Sequence, residues 1–504
     1  MTRSASRRAA AAAALVILLG SLGSAAASES REPSSNYDRD FSKTVPYRGA
    51  GQRLEIDHSQ GTLRIRTHAL PEVRIRAKIT VSSSSVDAQE FGKGIEISVE
   101  DTPTAVVVRT RYPQLHSVSG HFSFAVDMEV TMPETMELTA RNKFGDLGVM
   151  GLKSPAVLVN ANGQLSFSDG SGKQRLENAF GSITVERNAG DVEILGSNGA
   201  VVANSVGGSL QVRNRFGAVQ TRQTKGPVSV NSSNGDVLVE SAAGTASVSN
   251  SFGRVDVRGA AGAVEVRNSN GAVSASDVKG SVDLRTSFGE VEASGVPGDA
   301  TVAADNGTVT LTGVGGKVDV RNSFGKITVT QARKGVTAVG NNSAVSLADV
   351  TGSAGVRTTF GLVEATRIDG DLEVDDSNGA VRASAVKGSA KVTTSFGPVE
   401  LAGIGGRIDV DNQNGSVDVR GVVGGPKCSP VTLKSSFGPI RISLPDDAAY
   451  TVNAHTSFGK INTELPLTTS GSPSSDTLTG RLGDGRCPLQ LENSNGNIEI
   501  RKGR

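Results

Sequence analysis

The chain has 504 residues, with 52 lysines and arginines against 51 aspartates and glutamates, so its formal net charge is +1. A near-neutral chain with interleaved signs lacks the charge surplus that drives binding to nucleic acid or an anionic membrane. Glycine is abundant at 61 residues, tryptophan is absent and aromatic residues make up 4%. This composition excludes a compact core built on large side chains and favours a thin core of small β-branched residues.

The N-terminus has the pattern of an export signal. Arg3, Arg7 and Arg8 precede an apolar run over residues 9–19, and Ala25–Ala27 offers a small-residue cleavage site. The run is too short to span a bilayer, and no later stretch of the sequence qualifies as a membrane-spanning segment. We therefore predict a signal peptide and an exported chain, located in the periplasm or outside the cell in association with the envelope.

A repeat of 18 residues fills the middle of the chain. Its motif glycine recurs at every 18th residue from Gly145 to Gly415 without an insertion, and Ser343 is the one substitution. The residue before this glycine alternates strictly between phenylalanine and asparagine. The phenylalanines are Phe144, Phe180, Phe216, Phe252, Phe288, Phe324, Phe360 and Phe396, and the asparagines are Asn162, Asn198, Asn234, Asn270, Asn306, Asn342, Asn378 and Asn414.

Between the glycines the valines follow a period of two, which is the periodicity of a strand with one buried face. With the motif glycine numbered zero, this parity predicts that positions +2, +4 and +7 point inward, followed by +11, +13, +15 and +17. Position +17 holds the alternating phenylalanine and asparagine. We therefore expect these residues to form a structural ladder in the core, with each asparagine a buried amide rather than a binding residue.

Units this short cannot each bury a face alone and must stack on their neighbours. The repeat predicts an all-β fold: a parallel β-solenoid in which each 18-residue unit forms one coil and successive coils climb by ~4.8 Å. A coil of 36 residues, which would place phenylalanine on phenylalanine, stays open as the alternative. An antiparallel meander with tight Asn-Gly turns is disfavoured, because stacked coils are what require an invariant unit length.

The repeat is irregular at both ends. The stretch LEIDHSQGTLRIRTH (Leu54–His68) resembles one isolated, degenerate unit, and VTMPETMELTARNKFGDL (Val130–Leu147) resembles ISLPDDAAYTVNAHTSFGKI (Ile442–Ile461). Cys428 and Cys487 lie in the two interruptions after Gly415, so a disulfide is the default reading in an exported chain. We predict a signal peptide at 1–27, a flexible leader at 28–40, an irregular β N-terminal region or cap at 41–133, the regular solenoid at 134–425, and interrupted C-terminal repeats with a cap at 426–504.

These motifs together carry a family likeness. The Ser-Asn-Gly and Ser-Phe-Gly units with alternating valines, the Leu-Pro-Asp turn at Leu444, and LENSNGNIEI (Leu491–Ile500) resemble DUF4097, a family of β-strand repeat proteins described as bacterial adhesins. The resemblance covers about Phe41 to Arg501. It implies an exported or envelope-associated repetitive β protein, and it brings no catalytic residues with it.

No cluster of catalytic or metal-binding residues accompanies the repeat. Calcium β-rolls carry an aspartate in register in each unit, whereas position +1 varies freely here. The adjacent acidic pairs Asp375–Asp376 and Asp446–Asp447 fit structural or solvated roles, and His116 and His121 fit a surface loop better than a metal site. We predict no catalytic residue, no cofactor and no metal.

Three hypotheses for the function follow. The first is a non-catalytic, adhesin-like or structural binding surface in the envelope, whose partners would be envelope or extracellular glycans or surface proteins. The second is a carbohydrate-active β-helix enzyme, a polysaccharide lyase or hydrolase, which would need a groove lined by two or three convergent acids. The third is an envelope regulatory or sensing partner.

Overall fold

The structure is a computed structural model that describes residues 35–84, 87–114, 121–469 and 474–503. The expected signal peptide therefore lies outside the described residues. The N-terminal elements are β1 (Ser35–Pro46), β2 (Arg53–Asp57), β3 (Leu63–His68), β4 (Glu72–Ser83), α1 (Ala88–Gly94), β5 (Glu96–Asp101), β6 (Ala105–Arg111) and β7 (Phe122–Pro133). The expectation of a flexible leader is wrong for residues 35–40, because they begin β1 and pair antiparallel with β4.

Each unit of the regular region contributes one strand to each of two parallel sheets. Sheet A contains the strands that end at the phenylalanine or asparagine: β8 (Leu138–Phe144), β10 (Ala156–Asn162), β12 (Gln174–Phe180), β14 (Val192–Asn198), β16 (Leu210–Phe216), β18 (Val228–Asn234), β20 (Ala246–Phe252), β22 (Val264–Asn270), β24 (Val282–Phe288), β26 (Ala300–Asn306), β30 (Ala354–Phe360), β32 (Leu372–Asn378), β34 (Ala390–Phe396) and β36 (Ile408–Asn414).

Sheet B contains the strands that follow the motif glycine: β9 (Leu147–Met150), β11 (Leu165–Gly170), β13 (Ile183–Asn188), β15 (Val201–Val206), β17 (Val219–Thr224), β19 (Val237–Ala242), β21 (Val255–Arg258), β23 (Val273–Ser276), β25 (Val291–Val296), β27 (Val309–Val314), β31 (Val363–Ile368), β33 (Val381–Val386), β35 (Val399–Ile404) and β37 (Val417–Arg420). The long strands β28 (Lys317–Ala332) and β29 (Gly335–Val350) run through both sheets.

The C-terminal elements complete the rod. They are a short 3₁₀ helix (Gly425–Lys427), β38 (Val431–Phe437), β39 (Ile440–Leu444), β40 (Tyr450–Phe458), β41 (Ile461–Thr463), β42 (Thr468–Thr469), β43 (Thr477–Arg481), β44 (Cys487–Asn495) and β45 (Ile498–Lys502).

Strand register confirms the 18-residue coil. In sheet A, Val264 lies opposite Val282, and in sheet B, Val273 lies opposite Val291, both in parallel pairing. Each residue thus stacks on the residue 18 positions away. The 36-residue coil is therefore wrong, and every phenylalanine before a motif glycine stacks on an asparagine rather than on another phenylalanine, as Phe252 does on Asn270.

The core is a thin column of small side chains, as the composition predicts. In the unit of Gly253 the six positions +2, +4, +7, +11, +13 and +15 are all buried, and they hold Val255, Val257, Ala260, Val264, Val266 and Asn268. The change of parity between +4 and +7 has a backbone cause. Position +6 adopts a left-handed conformation, as at Asp277 (φ 54°) and Gln331 (φ 61°), so that one outward residue is added before the chain turns inward again. All ten non-glycine residues with positive φ in the described ranges occupy this position.

The motif glycine is required by both conformation and space. Gly271 has φ +134°, and a Cβ on it would lie 2.2 Å from the carbonyl oxygen of Gly253 in the coil before. The same close approach recurs from coil to coil, with Gly163 meeting the Gly145 oxygen at 2.3 Å and Gly289 meeting the Gly271 oxygen at 2.3 Å. The glycines therefore form a column in which each allows the next coil to stack at strand spacing.

The chain order is interleaved at both ends of the rod. At the N-terminal end β2 lies between β6 and β8, and β3 lies between β7 and β9, all in parallel pairing. The degenerate unit LEIDHSQGTLRIRTH is thus a true coil, with β6 and β7 outside it. Beyond these strands, β5, β4 and β1 pair antiparallel and cap the sheet edges.

The C-terminal end repeats this arrangement in reverse. The last strands of the chain, β44 and β45, are inserted between β38 and β40 and between β39 and β41 respectively. The two echoing sequences mark the crossings: the β7–β8 and β39–β40 connections both pass over an inserted coil. A strand, a Pro-acidic turn and a second strand therefore form the connection that climbs two coils instead of one.

Cys428 and Cys487 form a disulfide with a Cα–Cα distance of 6.1 Å. Cys487 is the first residue of the inserted strand β44, and Cys428 precedes β38, which is the neighbour of β44 in sheet A. The bond therefore fastens the inserted C-terminal coil to the coil beneath it.

Replacing Gly271 with alanine is expected to destabilise the rod by about 3 kcal/mol or more, because the Cβ collides with backbone and φ is unfavourable. Gly355→Ala is the matched control, since nothing lies within 4 Å of a Cβ at that strand position. Urea unfolding of both variants measures the difference. Equal midpoints would contradict the proposed role of the glycine column.

The double variant Cys428→Ser/Cys487→Ser is expected to lose up to about 4 kcal/mol of local stability, the entropy of a loop of this length. Because repeat proteins unfold locally, amide exchange should accelerate in β40–β45 and stay unchanged in β12–β34. Hydrogen exchange with mass spectrometry measures both regions at once. Uniform acceleration along the whole rod would show that the bond does not act locally.

Candidate interaction surface

The residues at position +17 form an exposed stripe along one edge of the rod. The ten phenylalanines are between 47% and 76% exposed: Phe144, Phe180, Phe216, Phe252, Phe288, Phe324, Phe360, Phe396, Phe437 and Phe458. The expectation that position +17 points into the core is therefore wrong. The asparagines at the same position are half-buried or exposed, so they are not core amides either.

A break in the strand alternation explains the outward direction. In β10 and β12 the register pairs Asn160 with Asn178 and Asn162 with Phe180, and omits the residue between them. Both residues after the buried +15 position thus face outward. Position +15 fills the inner corner instead: Asn268 Nδ2 donates hydrogen bonds to the carbonyl oxygens of Gly253 (2.9 Å) and Gly271 (3.1 Å).

Six of the nine stripe asparagines bond to the backbone of the preceding coil, whereas the phenylalanines project from it. Asn162 Nδ2 donates to the carbonyl oxygen of Lys143 at 3.1 Å, and Asn270 Nδ2 donates to that of Ser251 at 3.3 Å. In each case the acceptor is the residue before the phenylalanine of the preceding coil. The stripe therefore has a regular profile, with an aromatic ridge at one coil and an amide notch at the next.

This alternation follows position in the rod rather than order in the chain. At the interleaved C-terminal end, Asn495 stacks between Phe437 and Phe458, although it comes after both in the sequence. At the N-terminal end, Gln60 of the inserted coil pairs with Phe144. We call the ten phenylalanines and ten amides together the phenylalanine stripe; its amides are Gln60, Asn162, Asn198, Asn234, Asn270, Asn306, Asn342, Asn378, Asn414 and Asn495.

The size of the stripe sets it apart from ordinary exposed side chains. A phenylalanine that is half exposed offers about 100 Å² of apolar surface, so ten of them offer about 1,000 Å². Apolar patches on monomeric proteins rarely exceed a few hundred Å². Neighbouring phenylalanines are two coils apart, a spacing of ~10 Å, and the ten phenylalanines span roughly 85 Å. The stripe is an extended exposed surface rather than a pocket.

Shallow grooves follow the corner where sheet B ends, beside the left-handed +6 positions. One of these grooves has a volume of about 600 Å³, and its lining includes Asp349, Arg367, Asp369 and Lys387. Both acids are in ion pairs: Arg367 contacts Asp349 at 2.5 Å and Lys387 contacts Asp369 at 2.7 Å. The Arg367 guanidinium lowers the pKa of Asp349, so this carboxylate is held ionised and is unsuited to donate a proton.

The two adjacent acidic pairs do not converge on a cleft. Asp375 is exposed and Asp376 is buried, as expected for neighbours in a strand. Asp376 occupies the +15 position that asparagine, serine or threonine holds in most other coils, and burial raises its pKa to about 6. Asp446 and Asp447 are both exposed, and Asp446 forms an ion pair with Lys502 of the inserted coil at 2.9 Å.

One buried titratable residue was missed by the sequence reasoning. His58 is fully buried in the inserted coil β2–β3, and desolvation lowers its pKa to about 4. Its Nδ1 lies 3.3 Å from Thr110 Oγ1. The signal was present, because His58 continues the inward parity of Leu54 and Ile56. His58 is packed inside the N-terminal cap, so we assign it a structural role.

The histidines of the H-x₄-H stretch are not brought into a site that can be described. His121 is exposed, and His116 lies outside the described residues. Across the described ranges, no group of three or more His, Cys, Asp and Glu side chains is placed to hold a metal ion. In the same ranges, no helix has the length and apolar character needed to cross a membrane.

Comparison with known proteins finds a family match for the C-terminal third of the chain. Residues 334–501 match the family described as Toastrack DUF4097. The DUF4097 resemblance read from the motifs is thereby confirmed over this segment, which runs from β29 to β45 and includes the inserted coil and the disulfide. No curated protein matches the chain.

Three solved structures show distant likeness to this fold. One is named a "putative cell adhesion protein" from Clostridium sporogenes, with 15% identity, a TM-score of 0.25, and coverage of 43% of this chain and 100% of its own. A "putative adhesin" from Parabacteroides distasonis has 12% identity, a TM-score of 0.16, and coverage of 63% and 97%. A "putative lipid binding protein" from the same organism has 10% identity, a TM-score of 0.23, and coverage of 57% and 96%. At these scores the likeness carries no argument about function.

Replacing Asp376 with asparagine is expected to stabilise the DUF4097 segment by roughly 1 to 3 kcal/mol at pH 7.5. The folded pKa of about 6 lies above the ordinary value of 3.8, so the native state prefers the protonated acid. The penalty is absent below pH 4 and develops as the pH rises through 6. The melting temperature of Asp376→Asn should therefore exceed that of the parent at pH 7.5, with a smaller gain at pH 4. Asp375→Asn is the exposed control; a pH-independent difference would contradict the assignment.

Proposed function

We propose that the protein is an exported, non-catalytic binding protein that contacts its partner along the phenylalanine stripe, in an adhesin-like or structural role in the cell envelope. The observation that carries this proposal is the stripe itself. A regular row of exposed rings with about 1,000 Å² of apolar surface in total is the kind of feature that marks an interaction site. Candidate partners are envelope or extracellular glycans and surface proteins.

Two further observations support the proposal. The signal pattern in the first 27 residues and the disulfide Cys428–Cys487 both suit a chain that matures in an oxidising compartment. The acids of the groove around Asp349 and Asp369 are neutralised by cations, whereas a glycan hydrolase needs a pair of carboxyl groups with separated pKa values. The enzymatic alternative therefore has no observation in its favour.

The test removes three central ridges with the variant Phe252→Ser/Phe288→Ser/Phe324→Ser. The control Leu70→Ser/Met150→Ser/Val157→Ser removes exposed apolar side chains that lie off the stripe. Purified full chains are passed over peptidoglycan sacculi, an immobilised matrix protein, and immobilised copies of the chain itself, and release of reducing ends is assayed alongside. We expect saturable binding to at least one of these, weakened about tenfold or more by the stripe variant, which is 1.4 kcal/mol.

The control variant should bind as the parent does, and no reducing ends should be released. Binding that is unchanged by the stripe variant on all three surfaces would remove the stripe from the function. Measurable cleavage of the sacculi would establish catalysis and overturn the non-catalytic reading.

A further inference from the structure

We infer that the partner of the phenylalanine stripe is the same stripe on a second copy of this chain, docked antiparallel so that each phenylalanine of one rod enters an amide notch of the other. This inference rests on the proposed function, since it takes the stripe to be a binding surface, and it names the partner. It also explains why the stripe alternates.

The profile of the stripe is complementary to itself. Ridges and notches alternate at every coil, and six of the ten amide side chains donate a hydrogen bond to a backbone carbonyl of the preceding coil, as Asn414 does to Ser395 (3.3 Å). A ring from a facing rod thus meets a space between two rings ~10 Å apart, which is wide enough for one aromatic side chain between them. Interdigitation of this kind gives dry, close-packed interfaces in stacked β structures.

Symmetry then fixes the direction of the partner. A two-fold axis parallel to the rods would place each residue opposite its own copy, so that phenylalanine would meet phenylalanine. A two-fold axis perpendicular to the rods reverses one of them and can place every phenylalanine opposite an amide. Only the antiparallel arrangement is both closed and complementary.

The antiparallel arrangement leaves no residue of the stripe unpaired at either end. The stripe runs from Gln60 at one end to Phe458 at the other, with ten amides and ten phenylalanines in strict alternation. With the axis between Phe288 and Asn306, all twenty positions find a complement. The pairs are Phe144–Asn495, Phe180–Asn414, Phe216–Asn378, Phe252–Asn342, Phe288–Asn306, Phe324–Asn270, Phe360–Asn234, Phe396–Asn198, Phe437–Asn162 and Phe458–Gln60.

The area and the flanking charges are those of a protein interface. About 1,000 Å² of phenylalanine surface on each rod exceeds the ~800 Å² per partner of a standard stable complex. The position beside each stripe residue is mostly serine, and only Lys143, Arg215 and Asp305 are charged there. In the antiparallel pairing they lie opposite Ser494, Ser377 and Ser287, so no like charges meet.

Other partners fit the stripe less well. Glycan-binding surfaces need polar groups to match hydroxyls, but phenylalanine has no polar atom and the amide nitrogens of several notches already bond to backbone. A lipid surface would accept apolar side chains at every coil, so binding to lipid does not explain why an amide occupies every second coil. Both become outcomes of the test.

The decisive variant fills notches instead of removing ridges. Asn270→Phe/Asn306→Phe makes the stripe more apolar but leaves no space for the partner's rings at the centre. Asn270→Ser/Asn306→Ser is the control, because it loses the same backbone hydrogen bonds and keeps the space. Sedimentation equilibrium of the full chain should show a dimer for the parent and for the serine control within about threefold in Kd, and at least about tenfold weaker dimerisation for the phenylalanine variant.

A parent chain that stays monomeric at 100-fold the concentration used for the binding assays would overturn the inference. So would a dimer that is unaffected or strengthened by filled notches, and phosphatidylcholine vesicles tested in parallel would then show whether the stripe binds lipid. Circular dichroism melts of all three chains show whether each is folded.

The direction of the partner is tested separately by spin labels on single cysteines, since Cys428 and Cys487 are paired and do not react. In the antiparallel dimer, labels at Ser287→Cys lie one coil apart along the rod, ~5 Å, whereas labels at Arg215→Cys lie nine coils apart, ~43 Å. A parallel dimer would give the same short distance for both, which would overturn the inferred geometry.

Failure of this inference is distinguishable from failure of the proposed function. Monomeric protein whose binding to sacculi still depends on Phe252, Phe288 and Phe324 would reject the second copy as partner and leave the binding surface intact. If the phenylalanine-to-serine variant keeps both self-association and surface binding, the inference and the proposed function are both rejected.

Discussion

The close stacking of the motif glycines is the constraint on which the rest of this structure depends. Each carbonyl oxygen in the column lies where the Cβ of the next residue would be, at 2.2 Å for Gly253 and Gly271. Glycine permits this approach at every motif position except Ser343, where β29 continues through the corner as a strand. A residue inserted within a strand would shift the rest of that strand by one position and turn its buried face outward. The 18-residue spacing therefore holds where strands and corners follow one another without an added loop, and Gly438 still stacks on Gly415 after 23 residues because the extra residues lie in the loop before β38.

Stacking at fixed register turns each position of the unit into a column along the rod. Columns on the inner face are filled by small, mostly apolar side chains, and in most coils an amide or hydroxyl at +15 donates to a carbonyl at the motif position. Asp376 shows what this inner column requires, because a carboxylate there has its pKa raised to about 6 by burial. Side chains in the outer columns do not have to fit the core. The regular alternation of phenylalanine and amide on the outside therefore needs a separate explanation.

The fold could be predicted from the sequence because period and parity are local properties, and the coil, the buried valines and the degenerate unit at Leu54–His68 all follow from them. The direction of Phe252 could not be predicted by the same rule, since parity assumes an unbroken ladder and the register omits the residue before each stripe position. A signal did exist: no inward position alternates strictly between large and small residues, whereas +17 alternates in every unit between a large ring and a small amide. The interleaved ends could not be predicted from the sequence, because the pairing of β44 with β38 joins segments that are far apart in the chain.

The C-terminal end shows that the alternation of the stripe follows the order of coils in the rod and not the order of units in the chain. If alternation were only a record of how the units were copied along the chain, inserting a coil from elsewhere would break it. Asn495 instead lies between Phe437 and Phe458, and its Nδ2 donates to the carbonyl of Ser436 as five other stripe asparagines do to their own preceding coils. The hydrogen bond accounts for an amide at that coil, but it does not require a ring at the coils on either side. The buried half of each ring packs against the rod, whereas the exposed half gains nothing from the fold. That exposed half, repeated in every second coil, is the surface that the proposed partner would cover.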